Sequence, residues 1–287
     1  MVISPLETDA RSVSGKLELG ASINARGETT LTQQYHSVPF HISKPYWDGV
    51  TLLVQVVNPT AGIFQGDYME SRVSLAEETA VLLTSPSATR THTQRNRGEQ
   101  RSDDALLEQS FNIASKAWLE VFPELLIPQA GSVFRQRTEI NVAEGGEIYF
   151  VEMLAPGRLA HGECLAYDRL EWSFVLNHAG QPVAIERARV EPHQSCWMLE
   201  VPGWQQVFYG AAWIVSPSLK SLPKEIFSDL EALSDTKSHL GVSRISPEIM
   251  AIKFLAESSR ELRRINAQVR EIMTPFLPRL QSTPRKL

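Results

Sequence analysis

At 287 residues the chain can form one large β domain or two smaller domains. It is 43% hydrophobic and 21% charged, the balance of a globular chain with a buried core, and a net charge of −5 leaves no global basic field to draw it to nucleic acid or anionic lipid. No apolar stretch approaches the ~20 residues of a membrane-spanning helix, and two cysteines, Cys164 and Cys196, are too few for a disulfide scaffold.

The opening segment "MVISPLETDARSVSGK" lacks a basic start followed by an apolar block, so no secretory signal is expected and the chain reads as cytoplasmic. From about residue 15 to 215 the apolar pattern has period two. "TLLVQVVN" reads as a buried strand and runs into "NPTAGIFQGD", residues 58 to 67, with Gly62 and Gly66 four apart. A phosphate-binding loop would need a lysine after the second glycine and a helix beyond it. Asp67 stands there instead and the next segment is a strand, so the stretch is a strand–turn–strand connection with an acidic residue at its exit.

"DYMESRVSL" sets Met69, Val73 and Leu75 against Glu70, Arg72 and Ser74, and the apolar "VLLTS" follows, ending in Thr84 and Ser85. "RTHTQRNRGEQR" gathers Arg90, Arg95, Arg97 and Arg101, but without interleaved aromatics for base stacking, and with Glu99, Asp103 and Asp104 diluting it. A solvated hairpin loop or protein-contacting edge is expected there. "FRQRTEINV" opposes Phe134, Ile140 and Val142 to Arg135, Arg137, Glu139 and Asn141. "YFVEML" places Glu152 between Val151 and Met153, and in "LEWSFVL" Leu170, Trp172, Phe174 and Leu176 share a face. Strand side chains point to opposite faces in turn, so these runs predict sheets with one face buried and one wet. Turn signals at 143–146 and 178–181 separate them, and many short antiparallel strands are expected, in a sandwich or stacked sheets.

The last quarter changes period. "PKEIFSDLEALSDT" puts Ile226, Phe227, Leu230 and Leu233 on one helical face. Ser246 to Met273 is predicted as one long helix, with Ser246 as N-cap and Pro247 in the first turn, an apolar stripe through Ile249, Ile252, Leu255, Leu262, Ile265, Val269 and Ile272, and Arg260, Arg263, Arg264 and Arg270 on its later half. Such a helix packs on a sheet or presents a face to a partner; its arginines suit the rim of an accessory-protein contact.

The order of "VNPTAGIFQGDYMESRVSLAEETAVLLTSPSATRTH", "AWLEVFPELLIPQAGSVFRQRTEINV", "VEMLAPGRLAHGE" and "GVSRISPEIMAIKFLAESS" resembles the urease accessory protein UreD family, called UreH in some bacteria. The resemblance covers roughly Gly15 to Met273, with Ala61 and Gln65 standing where the family often has glycine. It implies one UreD-like domain over 1–287, with a core of about 15–273 and loose ends at 1–14 and 274–287. The implied fold is mainly β, of stacked antiparallel or mixed sheets, sandwich- or solenoid-like, with a few helices. It implies a scaffold and no catalyst: a protein that binds the urease apoprotein and UreF, and through UreF the GTPase UreG, with no nucleic acid or membrane partner. Nickel passes through an internal route of such proteins, so no cofactor is held stably and nickel is in transit.

A transit route wants oxygen and imidazole groups that release the ion, since a closed thiolate cage would trap it. The candidates are Asp67, Thr84, Ser85 and Glu152, the middle two singled out by the resemblance alone. For Glu152 the alternative is a structural pair with an arginine such as Arg158; for Asp67 it is a turn aspartate bonding its own backbone. The seven histidines, among them His161 beside Glu163 and Cys164, form no His-x-His or His-x₃-His pair, and His193-x-x-Cys196 reads as a loop entering a strand. A second functional class is a carbohydrate-active β-sandwich enzyme with Glu152 and Glu163 as a carboxylate pair, which would need an open groove and roughly 5–9 Å between the two. Trp172, on the apolar face of its strand, reads as core and not as a sugar platform.

Overall fold

The computed structural model describes residues 14–93, 104–194 and 200–281. In chain order the strands are β1 (Ser14–Ile23), β2 (Thr29–His36), β3 (His41–Ile42), β4 (Tyr46–Asp48), β5 (Thr51–Val57) and β6 (Tyr68–Leu75). They continue with β7 (Ala80–Thr84), β8 (Thr89–Thr91), β9 (Ala105–Ile113), β10 (Trp118–Phe122), β11 (Leu126–Pro128) and β12 (Val133–Val142). The last are β13 (Glu147–Leu154), β14 (Arg169–His178), β15 (Gln181–Val190), β16 (Phe208–Val215), β17 (Ser238–Ser246) and β18 (Ile249–Ala256), with helices α1 (Glu225–Glu231) and α2 (Ser259–Met273).

The strands form two sheets. One has the order β15-β14-β12-β9-β6-β1-β2; the other has β17-β18-β16-β13-β10-β7-β5-β3 as its main path. From β5 to β14 the long strands are laid alternately in one sheet and the other, so the chain coils and each strand lands beside the one laid a turn earlier. Neighbours one coil apart run in the same direction, and β6–β9–β12–β14 and β5–β7–β10–β13 are accordingly parallel. The expectation of antiparallel strands is therefore corrected for the centre of both sheets, although it holds for the flanking pairs β1–β2, β14–β15, β13–β16 and β17–β18. Period two reports which face a side chain takes and carries nothing about the direction of the neighbouring strand.

The coil has two unlike ends. At one, four residues make each corner: 76–79, 114–117 and 143–146. These corners stack through backbone bonds, Ala114 N–H to Leu75 O at 3.1 Å and Ala143 N–H to Ile113 O at 2.9 Å. Each turns through one left-handed residue, Glu78, Lys116 or Gly145. Beside them Asn112, Asn141 and Asn177 lie in register and form an amide ladder, with bonds of 3.1 and 2.8 Å. At the other end the returns are long, and β8 and β11 sit within them. Long connections on a rigid frame are where sites collect.

Two cores result. One fills the space between the sheets, with Phe111, Phe134, Phe150 and Phe174 fully buried; the other lies between the second sheet and the helices. Leu262, Ile265, Val269 and Met273 of α2 pack into the latter, as expected of an amphipathic helix on a sheet.

The predicted helix over 246–273 is corrected in its first half. Residues 249–256 form β18, a strand whose residues are buried on both faces except at Lys253 and Leu255. It hydrogen-bonds β16 on one side and β17 on the other, and Pro247-Glu248 is the hairpin turn before it. A continuous apolar run satisfies a helical stripe and a two-sided buried strand equally. The helix begins later, where the Ser258 side chain accepts the Glu261 N–H at 3.2 Å. Arg270, expected on an outer face, is instead turned into the core. The stretch after Met273, expected to be a loose end, is held as far as residue 281, with Leu277 and Leu280 buried.

Candidate functional site

At the end of the coil with the long returns, a cavity of about 210 Å³ lies between the two sheets. Its walls are mostly apolar, among them Met69, Leu107, Phe150 and Trp172. A polar lane crosses them. On β6, β9 and β12 the inward phase is broken by Ser71, Gln109, and Gln136 with Thr138, where neighbouring inward positions are Met69, Phe111 and Phe134. Gln109 donates to Thr138 Oγ1 at 3.2 Å, and Gln136 reaches across the gap to donate to Glu152 Oε1 at 2.8 Å. A buried polar group is costly unless bonded, so the amides offset part of the cost of placing a carboxylate here.

Three of the four expected residues wall this cavity: Thr84, Ser85 and Glu152. Thr84 ends β7 and its hydroxyl donates to Phe122 O at 2.7 Å; the Ser85 hydroxyl oxygen accepts the Glu124 N–H at 2.9 Å. Ser85 follows β7 and Glu152 lies on β13, with β10 between them, so two inter-strand spacings separate their backbones by roughly 10 Å.

Glu152 is deep in the protein yet keeps part of its surface toward the cavity. Burial pushes its carboxyl up to about 7, the negative charge of Glu186 adds to this, and the Gln136 bond and the Lys253 charge oppose it. Glu186 of β15 pairs with Lys253 of β18 at 2.7 Å and accepts a long bond from the Tyr209 hydroxyl at 3.5 Å. Burial and the charges of Glu186 and Glu152 raise the Tyr209 hydroxyl well above its ordinary range. The pairing of Glu152 with Arg158 does not occur: Arg158 forks onto Glu163, which also accepts the Ala130 N–H at 3.0 Å. The structure does not bring Glu163 into the cavity with Glu152, so the carboxylate pair expected of a glycosidase is not assembled.

Asp67 lies elsewhere. Its carboxylate accepts the Phe64 N–H at 2.8 Å, its own N–H donates to Phe64 O at 3.0 Å, and its carbonyl accepts the Leu106 N–H at 2.8 Å. It is 4% exposed, lies outside the cavity lining, and holds the turn of the opening glycine stretch. Gly62 serves the same turn. Its φ is +144°, and a Cβ there would lie 2.4 Å from Arg90 O, where the return strand crosses.

Three of the histidines make structural contacts. His92 stacks on Phe64 at 4.2 Å and its Nε2 lies 3.0 Å from Ala61 O; His239 stacks on Trp204, and His178 faces Glu248 at 3.4 Å. Among the described residues no three His, Cys, Asp or Glu side chains are grouped to hold a metal ion. Cys196, Arg95, Arg97 and Arg101 lie outside the described residues, and no described helix is long and apolar enough to cross a membrane.

Gln136, Glu186, Tyr209 and Lys253 escaped sequence reasoning. A signal existed for the polar lane: Ser71, Gln109 and Gln136 all fall in the buried phase of their strands. Nothing in sequence places β15 against β18, so the Glu186–Lys253 pair had none.

Comparison with known proteins bears on the whole chain. The family described as UreD urease accessory protein matches residues 13–286. The chain is 36% identical to the urease accessory protein UreD of Opitutus terrae over 276 residues, covering 96% of this chain and 99% of that one. It is 31% identical to UreD of Deinococcus radiodurans, with 77% of each covered, and 21% identical to UreH of Helicobacter acinonychis, with 90% of this chain and 95% of that one covered.

Proposed function

Because the chain belongs to the UreD family of urease accessory proteins, we propose that it is a maturation scaffold that gives nickel a path to the nascent urease site. It binds the urease apoprotein at one surface and UreF at another, with UreG joining through UreF, and the complex works in the cytoplasm. The chain supplies no catalytic group of its own.

One observation carries this reading: the inter-sheet cavity, walled by Thr84, Ser85 and Glu152 and crossed by a lane of amides and hydroxyls. Neutral oxygens and the Glu152 carboxylate attract a hydrated divalent ion without caging it. Glu152 adds a group that changes charge near neutral pH, since its carboxyl is raised to about 7. A proton held there leaves as a cation arrives and returns when the cation moves on.

The test is urease activation. The cognate urease operon is expressed in nickel-supplemented cells with the wild-type chain, with none, and with Glu152→Gln, and purified urease is assayed for activity and bound nickel. The proposal expects urease to be assembled but nickel-poor without the chain and in the Glu152→Gln cells. Full nickel loading without the chain would overturn it.

A further inference from the structure

The cavity has a second buried carboxylate, which the conduit reading above does not use. Glu124 follows Pro123 at the end of β10, lines the cavity beside Ser85, and is only 8% exposed. Its backbone is pinned by the Ser85 bond, and its Oε2 is met at 3.0 Å by Arg263. Arg263 projects from the second turn of α2 and its side chain is 48% exposed. Its neighbour Arg264 is tied to Glu261 and Asp235 and is not available in its place. The carboxylate is thus fixed at the cavity wall while its cationic partner stands half in water.

We propose that Glu124, with Ser85 beside it, is a cation contact at the mouth of the inter-sheet cavity, and that Arg263 competes with the cation for it. The inference rests on the conduit reading and adds a point of control to it. A buried carboxylate with an oxygen-rich neighbour suits a divalent ion that keeps several waters. A guanidinium at hydrogen-bond distance opposes that ion by charge and by occupying an oxygen. An exposed arginine leaves such a contact at little cost, because water takes up its charge. Arg263 therefore keeps the contact weak while it is in place, and the contact strengthens when Arg263 is drawn off.

The experiment is titration of Ni²⁺ into the purified full chain by calorimetry, with no urease present. Arg263→Gln suits it because the position is exposed on a helix that glutamine favours, and thermal unfolding checks each variant. Removing the competing charge is expected to tighten Ni²⁺ binding by about tenfold, and Glu124→Gln combined with Arg263→Gln is expected to lose the gain. Unchanged affinity in Arg263→Gln, or a gain that persists in the double variant, overturns the proposal. Glu152→Gln in the same buffer separates the two levels. If it weakens binding while Arg263→Gln is silent, the mouth contact falls and the conduit stands. If neither the wild type nor any variant binds Ni²⁺, both fall.

Discussion

Glu120 of β10 is fully buried, and its carboxylate is bound by Arg270 from the last turn of α2. Arg270 also donates to Leu280 O and lies over the Phe122 ring at 5.8 Å, so one guanidinium ties the second sheet to the helix and to the chain beyond it. Removing it leaves a charge in the core with no counterion. Arg270→Met is expected to cost about 3–5 kcal/mol, whereas Glu120→Leu with Arg270→Met, which removes both charges, recovers most of that loss. Urea unfolding at neutral pH reads both; a single variant as stable as wild type would show that the pair does not hold the helix.

Gly62 and Gly27 separate two reasons for a glycine. Both have positive φ, +144° and +78°, but only at Gly62 does a Cβ meet backbone, 2.4 Å from Arg90 O, while nothing stands within 4 Å of one at Gly27. Gly27→Ala is expected to lose about 1 kcal/mol through conformation alone, and Gly62→Ala distinctly more, because the return strand must move. Equal losses in thermal unfolding would show that the crossing at Arg90 is not tight.

Asp67 divides a turn role from a metal role. Its carboxylate accepts the Phe64 N–H, a bond that an amide oxygen can replace. Asp67→Asn is expected to keep both stability and urease activation, and Asp67→Ala to lose about 1 kcal/mol. Loss of activation in a stable Asp67→Asn would return the residue to the nickel route.

The strands were legible in sequence because their outer faces are wet: Tyr68, Arg72 and Ser74 alternate with Met69, Val73 and Leu75. Where both faces are buried the alternation vanishes, and Ile249, Ile252 and Leu255 imitate a helix. The true start of α2 was written at Ser258, three residues before Glu261, but an equally good cap at Ser246-Pro247 competed with it. Strand direction was not legible, because it depends on whether the chain crosses to the other sheet after each strand. The site was legible in part. Glu152 stood out as a carboxylate in an apolar strand, while its partner Gln136 lies sixteen residues away on the opposite sheet.

Glu152 makes a prediction in which the sign matters. Its carboxyl rises from 4.5 to about 7 on folding, mainly by burial, so the native state holds the proton more tightly than the unfolded chain does. The contribution is therefore most favourable below pH 4.5, is lost as pH rises through 7, and is flat above that. The full shift corresponds to at most about 3 kcal/mol. Glu152→Gln has nothing to ionise there and can keep a bond to Gln136. The variant is expected to gain stability over wild type as pH goes from 5 to 8, approaching that limit, and a parallel pH dependence in urea unfolding would remove Glu152 as a buried acid. The same substitution should weaken the stabilisation of the chain by added Ni²⁺ at pH 8, because a ligand stabilises the fold only through the groups that bind it. A variant that is firmer at pH 8 yet less responsive to nickel marks a carboxylate kept for transport at a cost to the fold.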